Sequence, residues 1–168
     1  MTKKLPVIIV SLVGLLLVVA GVIVWQKSAV KEPSKTTAPK TPTIKKVDLK
    51  SQPEWVQKLT VTVKKGKSST NSLDTLTFAV SGLPEGLVSS LEYTFSYETT
   101  NRGTDGGFST RPIDINGETT YTKTVEMGSC STGGKCVRNE GTTSVDLEFD
   151  FTTKDGDQPI WTGTLDLK

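Results

Sequence analysis

The side chains that could do chemistry are few, and their types exclude several kinds of catalysis. Histidine is absent, which excludes Ser-His and Cys-His nucleophile pairs, a histidine general base and an HExxH zinc site. Two cysteines are too few for a Cys₄ zinc site. A carboxylate pair for glycoside hydrolysis remains compatible with the composition, although acidic side chains on the outer face of strands are ordinarily solvated. We therefore expect a protein without enzymatic activity or cofactor, and a membrane-bound hydrolase is the least favoured alternative.

The two cysteines predict a disulfide. Cys130 and Cys136 are separated by Ser-Thr-Gly-Gly-Lys, a spacing that matches neither a zinc knuckle nor a CxxC redox motif. The two glycines allow the chain to fold back so that the sulfurs meet. The predicted product is a small closed surface loop between strands. Lys135 and Arg138 would give it a basic tip for a partner, but a stapled connection without a binding role is the simpler interpretation.

Three aspartates near one turn are a candidate calcium site. Asp150, Asp155 and Asp157 surround the Asp155-Gly156 dipeptide, and carboxylate oxygens are ligands that calcium accepts. The EF-hand loop pattern is absent. Because a hairpin turn favours Asp and Gly without any metal, the expectation is no metal site.

The first 25 residues predict a membrane anchor. A start with Lys3 and Lys4 precedes Leu5–Trp25, 21 residues without a charge. As a helix, that length spans about 30 Å, the hydrocarbon thickness of a bilayer. A cleaved signal peptide is the alternative, but its apolar core is usually about 7–15 residues long. We expect an uncleaved signal-anchor with a cytoplasmic N-terminus and an extracytoplasmic C-terminal domain, although lysines beyond the apolar run weaken the charge asymmetry.

Residues 26–51 have the composition of a disordered spacer. Lysine, proline, threonine and serine dominate, and Pro33, Pro39 and Pro42 disfavour regular structure. The segment contains too few apolar residues to form a core. The spacer would lift a domain away from the bilayer, and its lysines are an alternative contact for anionic polymers or headgroups.

Residues 52–168 predict an all-β domain. Apolar and polar residues alternate with period two in six segments, each typical of a half-buried strand. Turn residues separate them, and Asn116-Gly117 and Asp155-Gly156 are predicted hairpins. Six or seven strands in this length favour a two-sheet antiparallel sandwich. The segments lie near residues 59–64, 76–80, 91–97, 120–127, 145–152 and 161–167, with a short seventh near 108–115.

Two of these segments resemble strands of known modules. Leu91–Tyr97, with the sequence LEYTFSY, resembles a third strand, and Val145–Phe151, running into Lys154-Asp155-Gly156, resembles a penultimate strand and hairpin. The resemblance is to the immunoglobulin-like and fibronectin type III-like modules of bacterial surface proteins. The core cysteine pair and tryptophan of antibody domains are missing, so the fibronectin-like variant fits better. The resemblance implies adhesion, spacing or partner binding, and it implies that the last strand pairs with the penultimate one, which pairs with the third.

That strand order predicts an acidic surface. The outward residues of the three strands would include six carboxylates and no cation, on a domain with eleven basic and sixteen acidic side chains between residues 51 and 168. The simpler interpretation is a solvated face that resists aggregation. The functional one is docking of a basic protein segment, or of the lysine-rich spacer of a neighbouring copy. The six are Glu92, Glu98, Asp146, Glu148, Asp150 and Asp166.

Together these patterns predict a membrane-anchored binding protein. Residues 5–25 would contact the lipid bilayer, and the β-sandwich would bind a protein or a surface polymer at the cell surface. Nucleic acid is not an expected partner, because the domain is acidic. The alternative is an envelope-assembly or secretion accessory subunit that joins a complex through its transmembrane helix.

Overall fold

The computed structural model describes residues 43–115 and 117–167 of the chain, all within one compact unit. A 3-10 helix (Leu49–Ser51) and a one-turn helix α1 (Glu54–Gln57) precede nine strands in this part of the chain. The strands are β1 (Thr60–Lys67), β2 (Asp74–Ser81), β3 (Val88–Thr99), β4 (Gly103–Phe108), β5 (Ile113–Asp114), β6 (Thr120–Cys130), β7 (Cys136–Arg138), β8 (Ser144–Thr153) and β9 (Ile160–Asp166).

The predicted membrane segment, residues 5–25, lies outside the described residues, as does the spacer up to residue 42. Within the part that the structure describes, no helix combines the length and the apolar character needed to cross a bilayer.

The strands form two antiparallel sheets, so the predicted all-β class is confirmed. The first sheet has the order β1-β2-β6-β7, and the second has the order β4-β3-β8-β9, with β5 also paired to β3. The predicted order of three strands is also confirmed, because β9 pairs with β8 and β8 pairs with β3.

The inner faces of the two sheets share one core. In β2 every second residue is buried, including Leu76, Phe78 and Val80. The ring of Phe78 meets three rings of the other sheet, with centroids 5.0 Å from Tyr93, 6.0 Å from Phe95 and 5.8 Å from Phe149. The period-two pattern therefore places large apolar side chains between the sheets, where their burial is the main stabilising term.

Two short strands escaped the sequence pattern. Residues 101–107 contain three glycines and have the composition of a turn, yet β4 forms there along the edge of β3. A side chain at Gly107 would place its Cβ 2.9 Å from the ring of Phe95, so the glycine leaves room for that ring. β7 follows the cysteine loop and pairs with β6, which raises the count from the predicted six or seven to nine in the described residues.

One predicted hairpin is confirmed and the other is wrong. Asp155-Gly156 lies between the paired strands β8 and β9, with Gly156 in the left-handed region at φ 87°. Gly117 lies between β5 and β6, which belong to different sheets. The Asn116-Gly117 pair therefore belongs to a connection between sheets, and Asn116 itself lies outside the described residues.

Candidate binding face

The second sheet brings the six predicted carboxylates onto one outer face. Glu92 of β3 lies opposite Asp150 of β8, and Asp166 of β9 lies opposite Ser144 of β8. Because side chains alternate along a strand, residues of the same parity share the face. We call this surface the acidic face; its carboxylates are Glu92, Glu98, Asp146, Glu148, Asp150 and Asp166.

The carboxylates of this face have hydroxyl neighbours that donate hydrogen bonds to them. The Thr164 hydroxyl donates to Asp146 Oδ1 at 2.5 Å, and the Thr104 hydroxyl donates to Glu98 Oε1 at 2.5 Å. Among residues 43–115 and 117–167, no carboxylate of the acidic face forms a salt bridge with a lysine or arginine. Like charges on adjacent strands repel, so the face is electrostatically complementary to a cationic partner.

Glu148 differs from the other carboxylates because it is buried. The sequence pattern predicted an outward and solvated side chain, but only 3% of Glu148 is exposed. Glu148 does lie on the outer face of the sheet. It is covered because the chain before the first strand crosses this face.

The covering segment is Thr43–Val47, which we call the strap. The backbone N–H of Lys45 donates to Glu148 Oε2 at 2.6 Å. The backbone N–H and carbonyl of Val47 each lie 3.5 Å from the Thr162 hydroxyl oxygen on β9, a long contact by hydrogen-bond standards. The strap therefore reaches two strands of the acidic face, and its firmest contact is a backbone donor on a buried carboxylate.

Residues after the strap attach the segment to the domain. Leu49 packs against the core, and the Gln52 side-chain oxygen accepts from the Ile160 N–H at 2.9 Å. The Trp55 ring meets the Phe151 ring edge-on at 5.3 Å. Residues 43–51 were predicted as part of the spacer, but the Lys45 hydrogen bond and the packing of Leu49 group them with the domain. A few apolar residues spaced among lysines carry no periodic signal, which is why the pattern missed them.

Burial governs the protonation of Glu148. Its pKa is raised, chiefly because burial disfavours the charged form, and the nearby Asp150 carboxylate adds to the rise. The Lys45 N–H and the Lys45 charge act in the opposite direction. The strap thus both desolvates Glu148 and supplies the main compensation for its charge.

An open cleft of about 490 Å³ lies between the strap and the sheet. The strap forms one wall, and side chains of β3, β8 and β9 form the other. Hydroxyl and carboxylate groups line the sheet side, which suits polar and cationic groups. The residues on the sheet side are Ser96, Asp146, Thr162, Gly163 and Thr164.

The predicted disulfide is present. Cys130 and Cys136 are bonded and join the ends of β6 and β7. The loop is closed further by a hydrogen bond of 2.9 Å from the Ser131 N–H to the Lys135 carbonyl. Lys135 and Arg138 are both exposed, so the tip is basic and accessible, and the structure gives it no further feature of a binding site.

The three aspartates considered for calcium do not form a cluster. Asp150 lies within β8 on the acidic face, whereas Asp155 and Asp157 lie in the β8–β9 turn. In the described residues, no three His, Cys, Asp or Glu side chains are grouped closely enough to hold a metal ion.

The structure contains a buried polar network at the other end of β3 that the sequence pattern did not predict. Asn139 is 1% exposed, and its side-chain nitrogen donates to the Tyr97 hydroxyl at 2.8 Å and to Asp105 Oδ2 at 2.5 Å. Burial raises the pKa of Tyr97 to about 12. Within the described part of the chain, the Asn139 side-chain oxygen has no hydrogen-bond partner. The network ties β3, β4 and the β7–β8 connection together.

Comparison with known proteins assigns no family. No family model matches the chain, and no curated protein matches it. Among solved structures, the chain is similar to Spo0M, a sporulation control protein from Bacillus subtilis, with 11% identity and a TM-score of 0.30. The match covers 66% of this chain and 49% of Spo0M, so the chain spans about half the length of that protein. At this level the similarity assigns neither a family nor a function.

Proposed function

We propose that this chain is a single-pass, N-terminally anchored cell-surface protein whose β-sandwich binds a cationic protein partner through the acidic face. The observation that carries the proposal is the strap on that face. A segment with two adjacent lysines lies across the carboxylates, and Glu148 accepts one of its backbone N–H groups at 2.6 Å. The face is therefore suited in shape and charge to a lysine-bearing peptide segment.

The strand order supports a fibronectin type III-like sandwich. In that fold the last strand pairs with the penultimate one, which pairs with the third, as β9, β8 and β3 do here. The sheet that carries the carboxylates contains these three strands, and its outer face is the surface that we propose for binding.

The N-terminal sequence supports anchoring with the domain outside the cytoplasmic membrane. Residues 5–25 are long and apolar enough for one span, and the disulfide favours an oxidising compartment. Protease treatment of intact cells tests this topology: residues 52–168 should be degraded without lysis. Degradation only after lysis would contradict it.

Binding is tested with a synthetic oligolysine as the cationic probe. We expect the full chain, in detergent micelles, to bind it with an affinity that falls steeply as salt rises past about 0.15 M, where the screening length is about 8 Å. A variant with Asp146→Asn, Glu148→Gln and Asp150→Asn keeps the shape of the face and removes three charges. It should bind at least about tenfold more weakly at low salt.

A matched control removes three carboxylates elsewhere. Glu85, Glu118 and Glu140 are exposed and lie in connections between strands. Changing all three to glutamine alters the net charge equally but leaves the acidic face intact, so binding should persist. Equal losses in both triple variants would mean that net charge, and not this face, attracts the probe. If neither triple variant loses affinity for the probe, the acidic face is not the binding site. That result would favour the alternative, an envelope-assembly subunit that acts through its transmembrane helix.

A further inference from the structure

We propose that the strap is the resident occupant of the partner site, and that a lysine-bearing peptide segment of the partner displaces it and takes its place over Glu148. This inference rests on the proposed function and deepens it. It names the point of attachment, a buried carboxylate that accepts a backbone N–H, and the class of ligand, a peptide segment with lysine beside that N–H.

The strap is attached loosely enough to leave. None of its five residues is buried, and Thr43, Lys45 and Lys46 are exposed. Within the described residues its hydrogen bonds to the sheet are the one from Lys45 at 2.6 Å and the two long contacts with Thr162. Segments with few buried apolar contacts open locally at low cost in free energy.

The residues that follow the strap stay attached to the domain when the strap opens. Gln52 and Trp55 contact β9 and β8, and Val56 is fully buried in the core. The strap can therefore swing away from Glu148 without disturbing the two sheets. The displaced state keeps the fold and exposes the acidic face.

When the strap leaves, water hydrates Glu148, so a partner that covers this carboxylate again must supply a donor in place of that water. Glu148 is already the carboxylate with the greatest burial on this face, and Asp150 on the same strand adds like charge. A partner that offers a backbone N–H and a lysine side chain restores what Lys45 supplied. The cleft of about 490 Å³ under the strap also leaves space that the strap does not fill, so a partner with bulkier side chains can make contacts that the strap lacks.

Competition with the strap must weaken the apparent affinity of the partner. A tethered segment acts at an effective concentration of about millimolar or above, and a site open only part of the time binds in proportion to its open fraction. Variants that release the strap should therefore bind the partner segment more tightly than the parent chain does.

The test uses the strap itself as the probe. A synthetic peptide with the sequence of residues 41–48, Thr-Pro-Thr-Ile-Lys-Lys-Val-Asp, is titrated against the full chain in micelles. Lys45→Pro removes the N–H that Glu148 accepts, and Val47→Pro independently removes the N–H that contacts the Thr162 hydroxyl. Both changes are in the strap, so the sheet that receives the peptide is unaltered. We expect Lys45→Pro to bind the peptide about tenfold or more tightly than the parent, and Val47→Pro to bind it more tightly by a smaller factor, because the contact it removes is long. Lys46→Pro is the matched control and should bind like the parent, because in the part of the chain that the structure describes the Lys46 N–H makes no hydrogen bond to the sheet.

A modified peptide and the oligolysine measurement distinguish failure of this inference from failure of the proposed function. The same peptide with an N-methyl group at the Lys45 position lacks the donor and should bind the released variants at least about tenfold more weakly than the unmodified peptide. If the unmodified peptide binds parent and released variants equally, the strap does not occupy the site and the inference fails, while the proposed function stands. If the released variants bind oligolysine but not the strap peptide, the inference fails in the same way. If nothing cationic binds, the proposed function fails as well.

Discussion

Removing the charge of Glu148 should stabilise the domain at neutral pH. Glu148→Gln keeps the size of the side chain and an oxygen that can accept the Lys45 N–H. It removes a charge from a site where only 3% of the residue is exposed. The variant therefore separates the cost of burying the charge from the benefit of the hydrogen bond.

The expected size follows from two opposing terms. Burying a charged group costs several kcal/mol after relaxation when the site is fully enclosed, and less at the edge of an open cleft. A hydrogen bond to a charged acceptor is worth about 1 kcal/mol more than one to a neutral acceptor, and the variant loses that part. The nearby Asp150 charge adds to the cost of ionising Glu148, so we expect a net gain of about 1–2 kcal/mol, or about 4–8 °C in Tm.

The gain should depend on pH in one direction. The folded-state pKa of Glu148 is raised above the ordinary value of 4.5. Below pH 4.5 the carboxyl is protonated in both folded and unfolded chains, and the parent keeps its full stability. As pH rises, the unfolded chain ionises first, so the parent loses stability until the folded carboxyl has ionised too. Glutamine does not titrate, and the advantage of the variant therefore appears only above this range.

Urea unfolding followed by circular dichroism measures the effect at about pH 3.5 and about pH 7.5. The difference between variant and parent should be near zero at the lower pH and positive at the higher. Glu92→Gln is the control, since Glu92 is exposed on the same face and should change stability by no more than about 0.5 kcal/mol. A variant that is less stable than the parent at the higher pH would show that the Lys45 hydrogen bond outweighs the burial cost, and it would refute the reasoning.

Three further predictions concern other parts of the domain. Changing Cys130 and Cys136 together to serine should cost no more than about 2 kcal/mol in urea unfolding, because the closed loop is short; loss of the fold would contradict this. Asn139→Ala should destabilise the domain by about 2 kcal/mol, since it removes a buried donor. It should also raise the pKa of Tyr97 further, because the hydrogen bond from Asn139 lowers that pKa. An absorbance titration of Tyr97 that does not change would argue against the bond. Asp74 is paired with two lysines that lower its pKa, so Asp74→Asn should lose about 1 kcal/mol at neutral pH and nothing once pH falls below the folded-state pKa. A loss independent of pH would exclude the ion pairs as its cause.

Strands with period-two patterns were predictable from sequence, because one side of each is buried. In β2, Leu76, Phe78 and Val80 are buried and alternate with the half-buried Thr75, Thr77 and Ala79. The same logic placed the carboxylates of β8 on the outer face. β4 was not predictable, since its glycines resemble a turn and its strand conformation depends on pairing with β3.

The candidate site was only half predictable. Alternation places Glu148 on the outer face, but local sequence carries no sign that another segment covers it. The strap contains two lysines and has no periodicity, and its position depends on a contact between residues 103 positions apart. The chemistry of the face was therefore visible in the sequence, whereas the buried carboxylate and its donor required the tertiary structure.

Hydrogen exchange measured with and without the oligolysine probe tests most directly whether the acidic face is the binding surface. The account predicts that binding slows amide exchange in β3, β8 and β9, where the probe covers the sheet, and speeds it in the strap, which the probe displaces. Exchange in β1 and β2 should not change. Protection confined to β1 and β2, or to the loop closed by Cys130 and Cys136, would contradict the account.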